Sequence, residues 1–213
     1  MPHANGRPLP RFRVVRLAAS LGVVAALGCA STASPPDRFY PLLVAAPTVG
    51  AGACRVEGVL QVNRPVADAT TDQRNLVYQP DPTSAELRRH TFHLFTDVPS
   101  LLFQDELASY LRKAGVAPTV VTPDLRARAD YALNARIVTL HRVLGDPARA
   151  EIGIELSLVR LRDRKVLVQA TESASLLAPD VESAVAAYGA AAGTLFDAFL
   201  RDCSRQLGGR SDG

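Results

Sequence analysis

The sequence has few of the side chains that build metal centres. It contains three cysteines and four histidines among 213 residues, and no cysteine pair has the spacing of zinc ligands. His90 and His93 are three residues apart on a predicted strand, which places them on opposite faces, and His141 stands alone. We therefore predict no metal site and no cofactor.

Motifs of catalysis are also missing. The sequence has no Gly-x-Ser-x-Gly elbow, no phosphate-binding loop and no dinucleotide-binding loop. Glu151 and Glu155 share one face of a predicted strand, which is more simply a solvated edge than a catalytic pair. We therefore predict that the protein is not an enzyme. An enzyme whose site has no recognisable motif is the alternative.

A basic excess is absent once the N-terminal segment is set aside. The whole chain has a net charge of +3, and residues 1–28 carry four arginines and no acidic residue. Removing four positive charges from +3 leaves a net charge of −1. A domain of this charge has little to neutralise phosphates with, so nucleic-acid binding is not expected.

The N-terminal segment has the parts of a secretory signal. Four arginines precede the apolar residues 17–27, and Gly28 and Cys29 follow. A cysteine directly after a small residue is typical of lipoproteins, in which the thiol is acylated, for example with palmitate, and the chain is cut before it. Ala26 stands where the usual pattern has Leu. An ordinary signal peptide cut after an alanine is the alternative, and the apolar run is short for a transmembrane helix.

The rest of the chain divides into a tether, one domain and a tail. Residues 29–38 are rich in serine, threonine and proline and predict a lipidated, flexible tether. Residues 39–207 are of the size of one ordinary domain. Residues 208–213 are predicted to be a disordered tail.

Two cysteines remain besides Cys29. An exported chain folds in an oxidising compartment, where Cys54 and Cys203 can form a disulfide. Two separate buried thiols are the alternative.

Hydrophobic periodicity predicts eight strands and two helices. The strands are predicted at residues 39–46, 55–63, 76–78, 87–95, 119–122, 129–144, 150–161 and 165–176. One helix begins after a cap at Asp97 or Ser100 and ends near Gly115, and the other covers residues 181–207. This order predicts an α+β fold, a two-layer sandwich whose mixed or antiparallel sheet carries two amphipathic helices on one face.

Several segments together resemble the ABC-type transport auxiliary lipoprotein family. Their order and spacing, with the lipoprotein signal, carry the resemblance over nearly all of residues 39–207. Phe95 stands where family members often have Trp. The segments are Phe39-Tyr40-Pro41-Leu42, Asn75-Leu76-Val77-Tyr78, His93-Leu94-Phe95-Thr96-Asp97-Val98-Pro99, Gln104-Asp105-Glu106-Leu107 and Ala129-Asp130-Tyr131-Ala132-Leu133.

The resemblance implies a non-catalytic lipoprotein on the periplasmic face of the outer membrane. Such proteins work with an inner-membrane ABC transporter and a mammalian-cell-entry (MCE) domain protein, which move phospholipids or other hydrophobic molecules between membranes. They are thought to dock the periplasmic MCE protein, sometimes as a homo-oligomeric ring. A structural lipoprotein that supports envelope assembly without moving lipid is the alternative.

The segment from Asn75 to Thr83 is the predicted partner-binding loop, because exposed loops carry function on a rigid scaffold. It is long, contains prolines and holds Tyr78, Gln79 and Asp81. Simple packing of Tyr78 against the sheet is the alternative.

Overall fold

A mixed sheet of eight strands and two helices makes up the fold of the described part of the chain, and this confirms the predicted α+β class. The computed structural model describes residues 34–50 and 54–208. The predicted signal peptide, Cys29, the first part of the tether and residues 209–213 lie outside them. The strands are β1 (Arg38–Tyr40), β2 (Val59–Val62), β3 (Asn75–Gln79), β4 (Arg88–Phe95), β5 (Thr119–Val121), β6 (Tyr131–Val143), β7 (Arg149–Arg160) and β8 (Lys165–Leu177), and the helices are α1 (Pro99–Lys113) and α2 (Val181–Gly208).

The long strand β6 organises the sheet. Antiparallel β7 pairs with one edge of β6 along its length, and β8 pairs with β7. The other edge of β6 is shared, because β2 pairs in parallel with residues 131–133 and β3 with residues 142–143. The sheet therefore divides beside β6 into two arms, one made of β2 and β5, the other of β3, β4 and β1.

The core lies between the sheet and the helices. Alternate residues of β7, from Ile152 to Leu158, point into it and are almost fully buried. The helices contact each other through the rings of Tyr110 in α1 and Phe196 in α2, whose centroids are 5.2 Å apart. The helix α2 is long and apolar enough to span a membrane, but 67% of its most apolar stretch is buried in the domain. It is the central core helix.

The first predicted strand is shorter than expected. Only residues 38–40 pair with β4, and residues 41–50 form a strap that crosses the helices. Backbone amides of the strap donate to helix carboxylates, since Val44 N bonds Glu106 Oε2 at 3.1 Å and Thr48 N bonds Asp197 Oδ1 at 3.2 Å. These side chains replace the neighbouring strand as hydrogen-bond partners.

The start of α1 also differs from the prediction. Its N-cap is Val98, which makes no side-chain cap bond, rather than Asp97 or Ser100. The amide of Ser100 instead donates to Asp72 Oδ1 at 3.0 Å. A carboxylate from a distant loop therefore caps the helix, as a local capping residue would.

Candidate partner-binding loop and its surroundings

The predicted partner-binding segment, Asn75 to Thr83, is only partly a loop, because residues 75–79 form β3. The loop begins at the end of this strand, where Gln79 pairs with Val143 of β6. Gln79 Nε2 donates to the carbonyl oxygen of Ser84 at 2.6 Å. Asp81 Oδ1 accepts hydrogen bonds from Thr83 N at 2.9 Å and from Thr83 Oγ1 at 2.6 Å, and these bonds lower the pKa of Asp81. The loop is thus held in shape by its own side chains, and it presents the charged, exposed Asp81 to solvent.

Tyr78 is partly buried beside this loop. Its ring lies 4.6 Å from the ring of His90, centroid to centroid. The structure therefore gives Tyr78 a packing contact across β3 and β4, while Gln79 and Asp81 shape the loop. Tyr78, Gln79 and Asp81 are therefore close in sequence but have different contacts, Tyr78 with the ring of His90 and the other two within the loop.

The prediction that His90 and His93 lie on opposite faces is wrong. Their rings meet edge to face with centroids 5.2 Å apart. Pairing of β4 with β3 jumps from Arg89 opposite Val77 to Leu94 opposite Asn75. This irregularity breaks the alternation of a regular strand, and it turns both rings to one side.

The two histidines belong to an aromatic cluster that attaches β1 to β4. The Tyr40 hydroxyl and His93 Nδ1 share a hydrogen bond of 2.8 Å. His90 Nε2 is buried and has no hydrogen-bond partner among the described residues. Burial lowers the pKa of His90, and the nearby His93 and Arg142 lower it further. His90 is therefore neutral at neutral pH.

Metal ligands do not come together in the described residues. Residues 34–50 and 54–208 contain no group of three or more His, Cys, Asp or Glu side chains that could hold a metal ion. His141 lies apart from the other two histidines and faces Glu151 across β6 and β7, with 3.8 Å between Nε2 and Oε2. Burial lowers the pKa of His141, although Glu151 opposes that shift.

The predicted disulfide is present. Cys54 and Cys203 are bonded, with their Cα atoms 5.3 Å apart and a sequence separation of 149. Both cysteines are buried in the core. The bond joins the segment before β2 to the last turns of α2.

A buried acid in α2 was not predicted from the sequence. Asp197 is only 6% exposed, and it accepts hydrogen bonds from Tyr110 Oη in α1 and from Thr48 and Val49 in the strap. Burial raises the pKa of Asp197, but the bonds from Thr48 and Tyr110 outweigh burial and lower it. The sequence does hold a signal for this buried acid, because Asp197 is a single carboxylate within an apolar stretch of α2.

Comparison with known proteins identifies the family. The family model described as "ABC-type transport auxiliary lipoprotein component" matches residues 40–198. A crystal structure of a Xanthomonas campestris protein of the family designated DUF330 is similar, with a TM-score of 0.69, 16% identity, and coverage of 83% of this chain and 100% of that chain. A second crystal structure, of an uncharacterised protein, has a TM-score of 0.59 and 13% identity, covering 81% of this chain and 99% of that one. No curated protein matches. This chain therefore belongs to the family of ABC-type transport auxiliary lipoprotein components.

Proposed function

We propose that this protein is a non-catalytic lipoprotein of the outer membrane that docks the MCE-domain protein of an ABC transport system. That system moves phospholipids or other hydrophobic molecules between the two membranes. The observation that carries the proposal is the match of the family model over residues 40–198 in a chain with a lipoprotein signal.

Two features of the sequence support the location. Cys29 follows a small residue at the end of a signal segment, and acylation there would hold the domain at a membrane through residues 30–38. Residue 30 is Ala rather than the Asp that retains many lipoproteins in the inner membrane. These features favour the periplasmic face of the outer membrane.

The polar groups of the described residues support a binding role for the domain. The buried acid Asp197 is bonded to Tyr110 and the strap, so it is engaged in holding the fold. The histidine pair packs against Tyr40 and Tyr78. The loop of residues 79–83 is held in shape by its own hydrogen bonds and is exposed at residues 81–83, as a surface for a protein partner requires. A ring of several copies is part of the same proposal.

The proposal is tested by co-purification. The full-length protein with a C-terminal affinity tag is extracted with detergent from its own cells, and the MCE-domain protein is measured in the eluate. Co-elution from outer-membrane fractions is expected. Absence of the MCE protein, with the tagged protein intact, would contradict docking.

The loop has its own test in the same experiment. Asp81→Lys, or replacement of residues 79–83 by Gly and Ser, should weaken co-purification and leave the thermal midpoint nearly unchanged. Asp105→Lys is the matched control, because Asp105 is also exposed and lies on α1. Full retention of the complex by the loop variants would remove this loop from the interface. A large fall of the thermal midpoint would support the packing alternative.

A further inference from the structure

Basic side chains gather at one end of the sheet. We define the basic end as residues 55–57, 124–130 and 160–165. Members of each of these three segments line common clefts where β6 begins, β7 ends and β8 begins. These residues include seven basic and four acidic side chains, in a chain whose net charge without residues 1–28 is −1. Two shallow clefts open there, of about 360 and 320 Å³. Positive charge is therefore concentrated at this end.

Most of the acids at the basic end already have partners. Asp163 accepts two hydrogen bonds from Arg160, which lower its pKa to about 2. Asp130 Oδ2 accepts from Val59 N at 2.9 Å, and Glu57 pairs with Arg55. Five exposed cations have no ion pair with any residue that the structure describes, namely Arg126, Arg128, Arg162, Arg164 and Lys165. Their charges are available to a ligand.

Two of these arginines occupy backbone positions that suit glycine. Arg126 has φ of 51° and Arg164 has φ of 55°. An arginine in this left-handed region costs about 1 kcal/mol of conformational free energy relative to a glycine. Arginine at both turns places a charged side chain at the tip of the domain in spite of that cost.

Exposed apolar side chains are interleaved with the charges. Leu125, Leu161 and Val166 are 59%, 41% and 47% exposed, and each is next to one of the free cations in sequence. Arginine is enriched at protein–protein interfaces, and the exposed apolar side chains beside it provide apolar area that a protein partner can bury. This composition favours a protein partner over a surface of phosphates alone.

The position of the basic end also argues against the membrane as its ligand. The chain leaves the domain at Arg38, which pairs with Glu182 at the start of α2, near the opposite end of β6. The nine residues that follow Cys29, up to and including Arg38, reach at most about 30 Å, whereas the 13 residues of β6 extend over about 40 Å. A tether of this length that starts at Arg38 is therefore too short to bring Cys29 to the basic end.

We propose that the basic end binds an acidic segment of a partner protein, one that carries carboxylates alternating with apolar side chains. Arg128 and Arg162 line the same cleft and can each hold a carboxylate through two hydrogen bonds. The proposal rests on the lipid anchor of the proposed function. The loop of residues 79–83 lies at the other end of β6, so a partner that contacts both surfaces extends along the domain.

The test uses purified full-length protein in a neutral detergent. The probe is a fluorescent peptide of alternating Glu and Leu, and the reference probe is the same peptide with Ser in place of Leu. Glycerol 3-phosphate, a soluble lipid headgroup, is added as a competitor, because a lipid surface would be bound through its phosphates. The double variant Arg128→Glu/Arg162→Glu is compared with Arg88→Glu/Arg89→Glu, which makes the same charge change on exposed arginines at the anchored end. Binding is measured by fluorescence anisotropy at low and high salt.

The Glu/Leu peptide is expected to bind the wild type and the control, and the basic-end variant should bind at least about tenfold more weakly. Salt should weaken the wild-type binding, and the Ser peptide should bind less tightly than the Leu peptide. Equal binding by the two variants, or no binding of the peptide, would overturn the proposal. Displacement of the Glu/Leu peptide by an equal concentration of glycerol 3-phosphate would also overturn it in favour of a lipid surface. The peptide experiment does not use the MCE protein. Failure of the proposed docking function would appear in the co-purification experiment, and failure of this proposal would appear in the peptide experiment.

Discussion

Gly189 of α2 and Leu43 of the strap touch backbone to backbone. A Cβ atom added to Gly189 would overlap the Leu43 carbonyl oxygen. The helix can carry the strap this closely only because residue 189 has no side chain.

Replacement of Gly189 by Ala should therefore destabilise the domain, although Ala is the better helix former. We expect Gly189→Ala to lower the free energy of unfolding by about 2–3 kcal/mol, because the backbone must shift to admit the methyl group. Urea denaturation measures the change. The control is Gly193→Ala, whose added Cβ meets only Val44 Cγ1 at 3.5 Å, and which should be neutral or stabilising by up to about 1 kcal/mol. Equal effects of the two substitutions would refute the close approach.

Asp197 should make the free energy of unfolding depend on pH. Asp197→Asn is expected to lower the free energy of unfolding at neutral pH by about 2–3 kcal/mol, since the amide has no charge and keeps only one of the two acceptor oxygens. The pKa of Asp197 is lowered in the folded state, so its contribution is complete above the ordinary value of 3.8 and disappears as the pH falls through the lower, folded value.

The difference between wild type and Asp197→Asn should accordingly shrink as the pH falls below about 4. Urea unfolding at a series of pH values measures it. The exposed Asp105→Asn is the control and should change stability by less than about 0.5 kcal/mol. A difference that is constant with pH would mean that the carboxylate charge is not the source of the stability.

The disulfide should be a large contributor to stability. Because Cys54 and Cys203 close a loop of 149 residues, removing the bond should cost about 3–5 kcal/mol in the chain-entropy model. Reduction, or the double variant Cys54→Ala/Cys203→Ala, should lower the thermal midpoint by roughly 6–20 °C. Reductant should have no effect on the double variant. Two alkylatable thiols in the denatured, non-reduced wild type would contradict the bond.

Cys29 should carry the lipid. Cys29→Ser is expected to leave an uncleaved or soluble periplasmic protein and to abolish labelling with radioactive palmitate, because serine has no thiol to acylate. Cys54→Ser is the comparison and should keep its label. Unchanged labelling of Cys29→Ser would show that the signal is of the ordinary kind. Recovery of the mature protein only from inner-membrane fractions would refute the sorting expected from Ala30.

Much of the fold could be predicted where local pattern and tertiary environment agree. The alternation in β6, β7 and β8 and the apolar stripe of α2 follow from one face being buried over many residues. These elements end within two residues of their predicted limits. The disulfide followed from the compartment and the number of cysteines.

The rest depends on contacts between distant parts of the chain. Asp72 caps α1 from 28 residues away, and no pattern near Ser100 shows it. His90 and His93 meet because β4 loses its regular register, which alternation alone cannot show. The strap has the composition of a strand, but its amides bond to Glu106 and Asp197. The cluster at the basic end combines three separate segments that only folding brings together.

The bond between Cys54 and Cys203 has a mechanical consequence for a domain anchored by its N-terminus. Tension on the tether enters at β1, which has only three residues paired with β4, and passes next to the strap. At Cys54 the force crosses to α2 through a covalent bond. Pulling can therefore separate residues 38–50 from the rest of the domain, but it cannot unravel the chain from β2 onward without moving the core helix as well. The disulfide therefore limits how much of the chain can be pulled away from the domain before α2 itself bears the force.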